Sequence, residues 1–216
     1  MVVSDKPLRP SRFEIIARQR AYQGFFALDV VDLRHEQFDG SWSQPIRREL
    51  FCISNAVGIL PYDSRRNRVV LIEQFRTGPL GAVRDATTAQ PWMIETPAGL
   101  IETGEDPEMA GRRELVEECG LTADRMELIH QFYPSPGASA ERVNLFVAEV
   151  DLPVIGQSVH GLASEHEDIL NHVLELEEAL SWLDDGRIQG VTAVMALLWM
   201  KSSSAALQER WRAGRD

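Results

Sequence analysis

The stretch from Gly99 to Leu121, GLIETGEDPEMAGRRELVEECGL, decides how this chain is read. Its middle carries the signals of a helix over Pro107–Cys119. Asp106 can cap the start, Pro107 suits the first turn, and Gly120 suits the exit. With about 3.6 residues per turn, Glu114, Glu117 and Glu118 stand at i, i+3 and i+4 and project from one side. Like charges so placed repel by a few tenths of a kcal/mol per pair when exposed, and by more when partly buried. A solvated acidic face is the ordinary outcome for a glutamate-rich helix. The alternative is a multivalent cation, for which the same face becomes a ligand set. All-oxygen ligands favour Mg²⁺ or Mn²⁺ over zinc or copper, and magnesium commonly shares its shell with phosphate. The ligand that fits such a face is a phosphate or a pyrophosphate.

Composition narrows the setting. The chain has 216 residues, 44% of them hydrophobic, enough to build a core in one generous domain or in a small domain attached to a larger one. A formal charge of -11 argues against general nucleic-acid binding, which needs a positive footprint. An acidic protein can still hold a small phosphorylated ligand through metal ions or a few arginines. The longest apolar run, near Ala193–Met200, is too short to cross a bilayer, and MVVSDKPLRP has no apolar core of a secretion signal. Cys52 and Cys119 make neither a disulfide framework nor a zinc spacing, so a cytoplasmic setting is expected.

Outward from the acidic helix, β-branched and apolar runs mark strands at 13–35 (a pair or a bent ribbon), 46–53, 55–63, 68–76, 92–99, 126–134, 142–150 and 168–176. Residues 64–67 read as a hairpin turn, and 77–91 as a long loop. Two further helices are expected, one at Glu177–Asp185 and one from about Thr192 past Trp211. Many strands with few, separated helices predict an α+β or α/β sandwich on a mixed sheet, preceded by an N-terminal antiparallel β element. A break near residues 50–55 divides an N-terminal element, 1–52, from a larger domain, 53–216.

Gly99, Glu105 and RELVEECGL fill every fixed position of the pattern G-x5-E-x7-R-E-U-x-E-E-x-G-U, where U is aliphatic. The chain therefore resembles the Nudix hydrolases. RVVLIEQFR and PWMIETPAG before the box, SPGASAER, HGLASEHEDI and DDGRIQGVTAVMALLWM after it, and FEIIARQRAYQGFFALD and IRREL near the start are similar to the ADP-ribose diphosphatases of that family. Pro136, 16 residues beyond Gly120, stands where that subgroup has a proline.

The resemblance implies a Nudix α/β/α sandwich and a set of roles. Metal ligands would be Glu114, Glu117, Glu118 and the carbonyl of Ala98, with two or three Mg²⁺ neutralising a diphosphate and Mn²⁺ a possible substitute. Glu105 and Arg113 would support the helix and orient its carboxylates. In the LASEHEDI loop, Glu165 matches the general base and Glu167 would complete the metal shell. Arg48 and Arg76 match arginines that meet phosphate or ribose, Phe25 an aromatic residue that stacks on adenine, and Glu141 a ligand contact. Each of these four reads almost equally well as a structural residue. The family also implies a homodimer that exchanges the N-terminal element, so that Phe25 and Arg48 would serve the neighbouring subunit. The implied reaction is Mg²⁺-dependent hydrolysis of ADP-ribose to AMP and ribose 5-phosphate. Another nucleoside diphosphate sugar, such as GDP-mannose, is the runner-up substrate. A non-catalytic nucleotide sensor is the alternative of another class. The complete box, and the lack of room for a basic domain, favour the enzyme.

Overall fold

A computed structural model describes residues 10–82, 90–152 and 154–214. Two compact units emerge, one ending at Ser54 and including Tyr133–Glu141, the other built from the remaining residues from Asn55 onward.

In the first unit, the 13–35 run becomes two antiparallel strands, β1 (Phe13–Gln23) and β2 (Ala27–His35). With β3 (Ile46–Cys52) they form a sheet in the order β1-β2-β3. Strand β2 alternates as a half-buried strand does, burying Ala27, Asp29 and Val31. The buried charge of Asp29 is matched by Arg20 and by Arg18, whose Nε donates at 2.6 Å, and these guanidinium groups hold its carboxyl at about 2. Strand β1 is exposed along its whole length, with Phe13, Ile15, Ile16 and Tyr22 in the open. The segment Tyr133–Glu141 joins this unit because Phe51 exchanges backbone hydrogen bonds with it. Its N–H donates to the Ala138 carbonyl at 2.7 Å, and its carbonyl accepts from Ala140 at 3.0 Å.

The second unit is organised on eight strands: β4 (Ala56–Asp63), β5 (Arg68–Phe75), β6 (Trp92–Glu95), β7 (Ala98–Leu100), β8 (Arg125–Phe132), β9 (Val143–Glu149), β10 (Gly156–His160) and β11 (Ile169–Glu175). Their main path runs β10-β11-β5-β4-β9-β8, with β6 on β5 and β7 on β4. The pair β4 and β9 is parallel and the other pairs are antiparallel, which makes the sheet mixed. The turn at 64–67 forms as read. Asn67 takes φ 57°, and Asp63 accepts the N–H groups of Arg65 and Arg66.

Among the described residues, three helices cover the sheet: α1 (Pro107–Cys119), α2 (Leu176–Asp184) and α3 (Val191–Ala213). On one face Val57, Ile59, Val70 and Ile72 meet Ala110, Leu115 and Cys119 of α1. On the other, Leu60, Tyr62, Leu71 and Val147 pack with Ala179 of α2 and with Ala196, Leu197, Met200 and Trp211 of α3. This is the α/β/α sandwich that the sequence implied.

Two details differ from the sequence reading. The run 92–99 is two strands, because Thr96 and Pro97 interrupt it and proline has no N–H to give to a ladder. Strand β10 was not anticipated. It is an edge strand, exposed except for its last residue, so no alternating apolar pattern marks it. The expected loop at 77–91 lies partly outside the described residues, and its start forms a 3-10 turn at Gly78–Ala82. Among the described residues, no helix is long and apolar enough to cross a membrane.

Candidate active site

The acidic helix is fixed at both ends by its own sequence. Asp106 accepts the Glu108 N–H at 2.8 Å, and Gly120 closes the helix at φ 64°, donating to Val116 at 2.9 Å. Because Ala110, Leu115 and Cys119 face the sheet, the neighbouring Glu114 and Glu118 are drawn into the interface. Glu118 keeps 2% of its surface and Glu114 9%. Glu117, further round the helix, is half-buried.

The three carboxylates divide between two partners, the Ala98 N–H and Arg113. Glu118 Oε2 accepts the backbone N–H of Ala98 at 2.7 Å. Glu114 Oε1 and Glu117 Oε2 share Arg113 Nη1, at 2.7 and 3.0 Å. The same guanidinium grips both oxygens of Glu105 at 3.1 Å and the Leu100 carbonyl at 3.2 Å. Arg113 thus ties the start of the box to two of its carboxylates, and Glu105 in turn accepts the Glu102 N–H at 3.0 Å. The bonds of Glu105 and Arg113 are those of an orienting pair.

The box glycine has a steric reason. A β-carbon at Gly99 would lie 1.8 Å from Glu114 Oε1 and 2.1 Å from its Cδ, so the Glu114 carboxylate occupies the volume that any other residue would fill. Ala98, beside it in β7, stands opposite Gly58 of β4.

Burial makes these charges costly. The Glu118 carboxyl is pushed up to about 8, chiefly by desolvation and further by the charges of Glu114 and Glu167, against the Ala98 N–H and Arg76. Desolvation also raises Glu114, with Glu117 and Glu167 adding to it and Arg113 opposing. Among the described residues, no three acidic, His or Cys side chains already converge on one point. A cluster of buried carboxylate oxygens, one of them seated over a glycine cradle, nevertheless has the chemistry of a site for a hard divalent cation, which would relieve the repulsion.

The loop before β11 holds Glu167 near enough for its charge to act on Glu114 and Glu118. His166 adopts φ 57° and Gly161 φ 108°. Glu167 folds back, its N–H on the Leu162 carbonyl at 3.2 Å and its Oε2 on the Leu162 N–H at 3.0 Å. Glu165 ends a 3-10 turn, Ala163–Glu165, exposed and with its backbone N–H on Leu162. Arg76, the residue after β5, donates Nε to Glu95 Oε2 at 2.8 Å.

The other expected substrate contacts belong to the first unit. Phe25 is 85% exposed and meets Phe26 edge-on at 4.8 Å. Arg48 is exposed and donates to the Arg47 carbonyl at 2.9 Å. Glu141 is half-buried, and burial raises its carboxyl.

Two residues near the carboxylates went unread in the sequence. Asn171 of β11, 2% exposed, donates Nδ2 to the Glu118 carbonyl at 2.8 Å and so fastens the end of α1 to the sheet. Its signal was available, as one of two polar residues, with His172, in the otherwise apolar run ILNHVL. Glu95, the partner of Arg76, lay in the IETPAG run and carried no such signal.

Comparison with known proteins agrees with this geometry. Residues 53–195 match the NUDIX domain. The ADP-ribose pyrophosphatase of Escherichia coli (strain K12) is 43% identical over 198 residues, 92% of this chain and 92% of that protein. The ADP-ribose pyrophosphatase of Haemophilus influenzae is 37% identical over 199 residues, 92% of this chain and 90% of its own length. The GDP-mannose pyrophosphatase of Citrobacter koseri is 32% identical over 158 residues, 73% of this chain and 79% of that protein. With the complete box, two of its carboxylates buried, and a domain match over most of its length, the chain belongs to the Nudix family.

Proposed function

We infer that this protein is a Nudix hydrolase that cleaves the diphosphate of ADP-ribose to AMP and ribose 5-phosphate. The observation that carries this reading is the seating of Glu114 and Glu118 in the α1–sheet interface, one over Gly99 and one on the Ala98 N–H. Two relatives similar over most of this chain are ADP-ribose pyrophosphatases, which sets the substrate class.

Nudix hydrolases generally use a divalent metal, and here Mg²⁺, with Mn²⁺ as substitute, is the proposed one. Glu114, Glu117, Glu118, Glu167 and the Ala98 carbonyl would hold it, and it would neutralise the diphosphate and polarise phosphorus. The chain's own groups do the rest. Arg113, braced by Glu105, orients Glu114 and Glu117. Glu165, on its exposed turn, takes the proton of the attacking water. Arg76 binds phosphate or ribose oxygens and Glu141 contacts the ligand, while Arg48 and Phe25 serve the neighbouring subunit's site, on phosphate or ribose and on the base. The apolar side chains exposed along β1 supply the surface for a homodimer that exchanges its N-terminal sheets. A cytoplasmic setting fits a chain with two unpaired cysteines.

A nucleoside diphosphate sugar panel tests the substrate. The purified protein is assayed in Mg²⁺ with ADP-ribose and GDP-mannose, and AMP and GMP are resolved as products. Preferential release of AMP is expected. A preference for GDP-mannose would move the chain to the substrate of its GDP-mannose pyrophosphatase relative.

A further inference from the structure

Arginine is a long side chain, and an unrestrained guanidinium must lose much rotamer freedom to present both Nη groups in one plane. The surroundings of Arg76 impose that plane beforehand. Its backbone N–H donates to the Pro91 carbonyl at 2.7 Å, which extends the pairing of β5 with β6 by one step. Along β5, Val70 and Ile72 face the cluster that contains Ala110, Leu115 and Cys119 of α1, and Arg76 continues the same alternation beyond Gln74. Glu95 stands across the ladder from Ile72, on that same face. From there its Oε2 takes the Arg76 Nε at 2.8 Å.

The carboxylate is the better buried partner, its side chain 18% exposed against 41% for Arg76. Gly190 closes its other flank, where a β-carbon would come within 3.2 Å of Glu95 Cγ. A guanidinium held at Nε turns its two Nη groups to the opposite edge as a parallel fork. Among the described residues, Glu95 is the ion-pair partner of Arg76.

We propose that Glu95 is a positioning residue: it grips Arg76 by Nε and presents the Nη pair as a two-toothed donor to the oxygens of the substrate diphosphate. The proposal rests on the reading that Arg76 meets phosphate. A carboxylate beside an anion-binding arginine weakens attraction for the anion, in a site already crowded with carboxylates. Its compensation is order, because a preset fork loses less freedom on binding and holds the diphosphate in register.

Four variants separate this role from general support of the fold. Glu95→Ala frees the guanidinium and is expected to lower kcat/KM for ADP-ribose about tenfold or more, with the melting temperature nearly unchanged. Glu95→Gln keeps an acceptor oxygen at the same reach and is expected to stay within about threefold of wild type. Arg76→Ala is expected to lose at least as much as Glu95→Ala, and the double variant no more than Arg76→Ala alone, since Glu95 acts through the arginine. Multiplicative losses in the double variant would overturn the proposal. So would wild-type kinetics of Glu95→Ala beside an impaired Arg76→Ala. Wild-type kinetics of Arg76→Ala would instead overturn the phosphate reading of Arg76. Should Glu95→Ala fail to fold, Glu95→Asp serves in its place, one methylene too short to reach Nε. Equal activity of Glu95→Asp, Glu95→Gln and wild type would then refute the positioning role.

Discussion

The Glu114 carboxylate lies over the α-carbon of Gly99, so close that a β-carbon there would stand 1.8 Å from its Oε1. A residue 15 places earlier in the chain therefore sets where the carboxylate rests, and Arg113 Nη1, at 2.7 Å from the same oxygen, closes it from the other side. The box glycine is there for volume, at a point where the chain passes beneath its own helix.

Gly99→Ala should cost activity far more than stability. The nearest atoms belong to the end of a flexible side chain, so Glu114 can swing aside while the backbone stays. A loss of about 10²-fold in kcat is expected, on the scale of displacing a main electrostatic group, with a melting shift of only a few degrees. Kinetics and thermal melts on one preparation check it. Near-normal turnover would mean that the position of Glu114 is immaterial.

Glu118→Gln should abolish most turnover, by about 10²-fold or more, since an amide of the same shape is a poor metal ligand. Its stability should change in the opposite sense. The wild-type carboxyl, pushed up to about 8 by burial, keeps its proton when folded over a range where the unfolded chain, near 4.5, has lost it. The native state binds the extra proton, so the stability of the metal-free protein falls as pH rises from about 4.5 to about 8. Melts in chelator across that window should slope downward for wild type and be flatter for Glu118→Gln. Parallel curves would remove Glu118 as the source.

Glu165→Gln and Glu167→Gln should fail in different ways. Glu167 bears on the charges of Glu114 and Glu118, so its loss should be partly recovered by raising Mg²⁺. A base acts on the attacking water in the transition state, so Glu165→Gln should lower kcat by about 10²–10⁴-fold with little change in the affinity for metal. Measuring kcat for both over a Mg²⁺ titration decides. The reverse pattern would exchange their roles.

Asn171→Leu should loosen the end of α1. The Glu118 carbonyl would lose its buried donor, at a cost of about 1–3 kcal/mol. Chemical denaturation should show that loss, and half-maximal activity should require more Mg²⁺ than in wild type. An unchanged Mg²⁺ requirement would limit Asn171 to stability alone.

Much of this protein was written in local sequence. The cap at Asp106, the proline at the first turn and the glycine exit at Gly120 define α1 to the residue, because capping and helical phase involve neighbours in the chain. The turn at 64–67 and most strands of the central sheet were legible for the same reason, and the full Nudix box marked the family. Strand β10 was not legible, since an exposed edge strand has no apolar alternation to show. Tertiary structure alone decided which groups meet. The seat of Glu114 over Gly99, the bond from Asn171 to Glu118, the reach of the Glu167 charge to Glu118 and the pairing of Glu95 with Arg76 follow from strand order and register. Such contacts join residues far apart in sequence, and their strength comes from burial, which no single segment possesses until the sheet and helix close on each other.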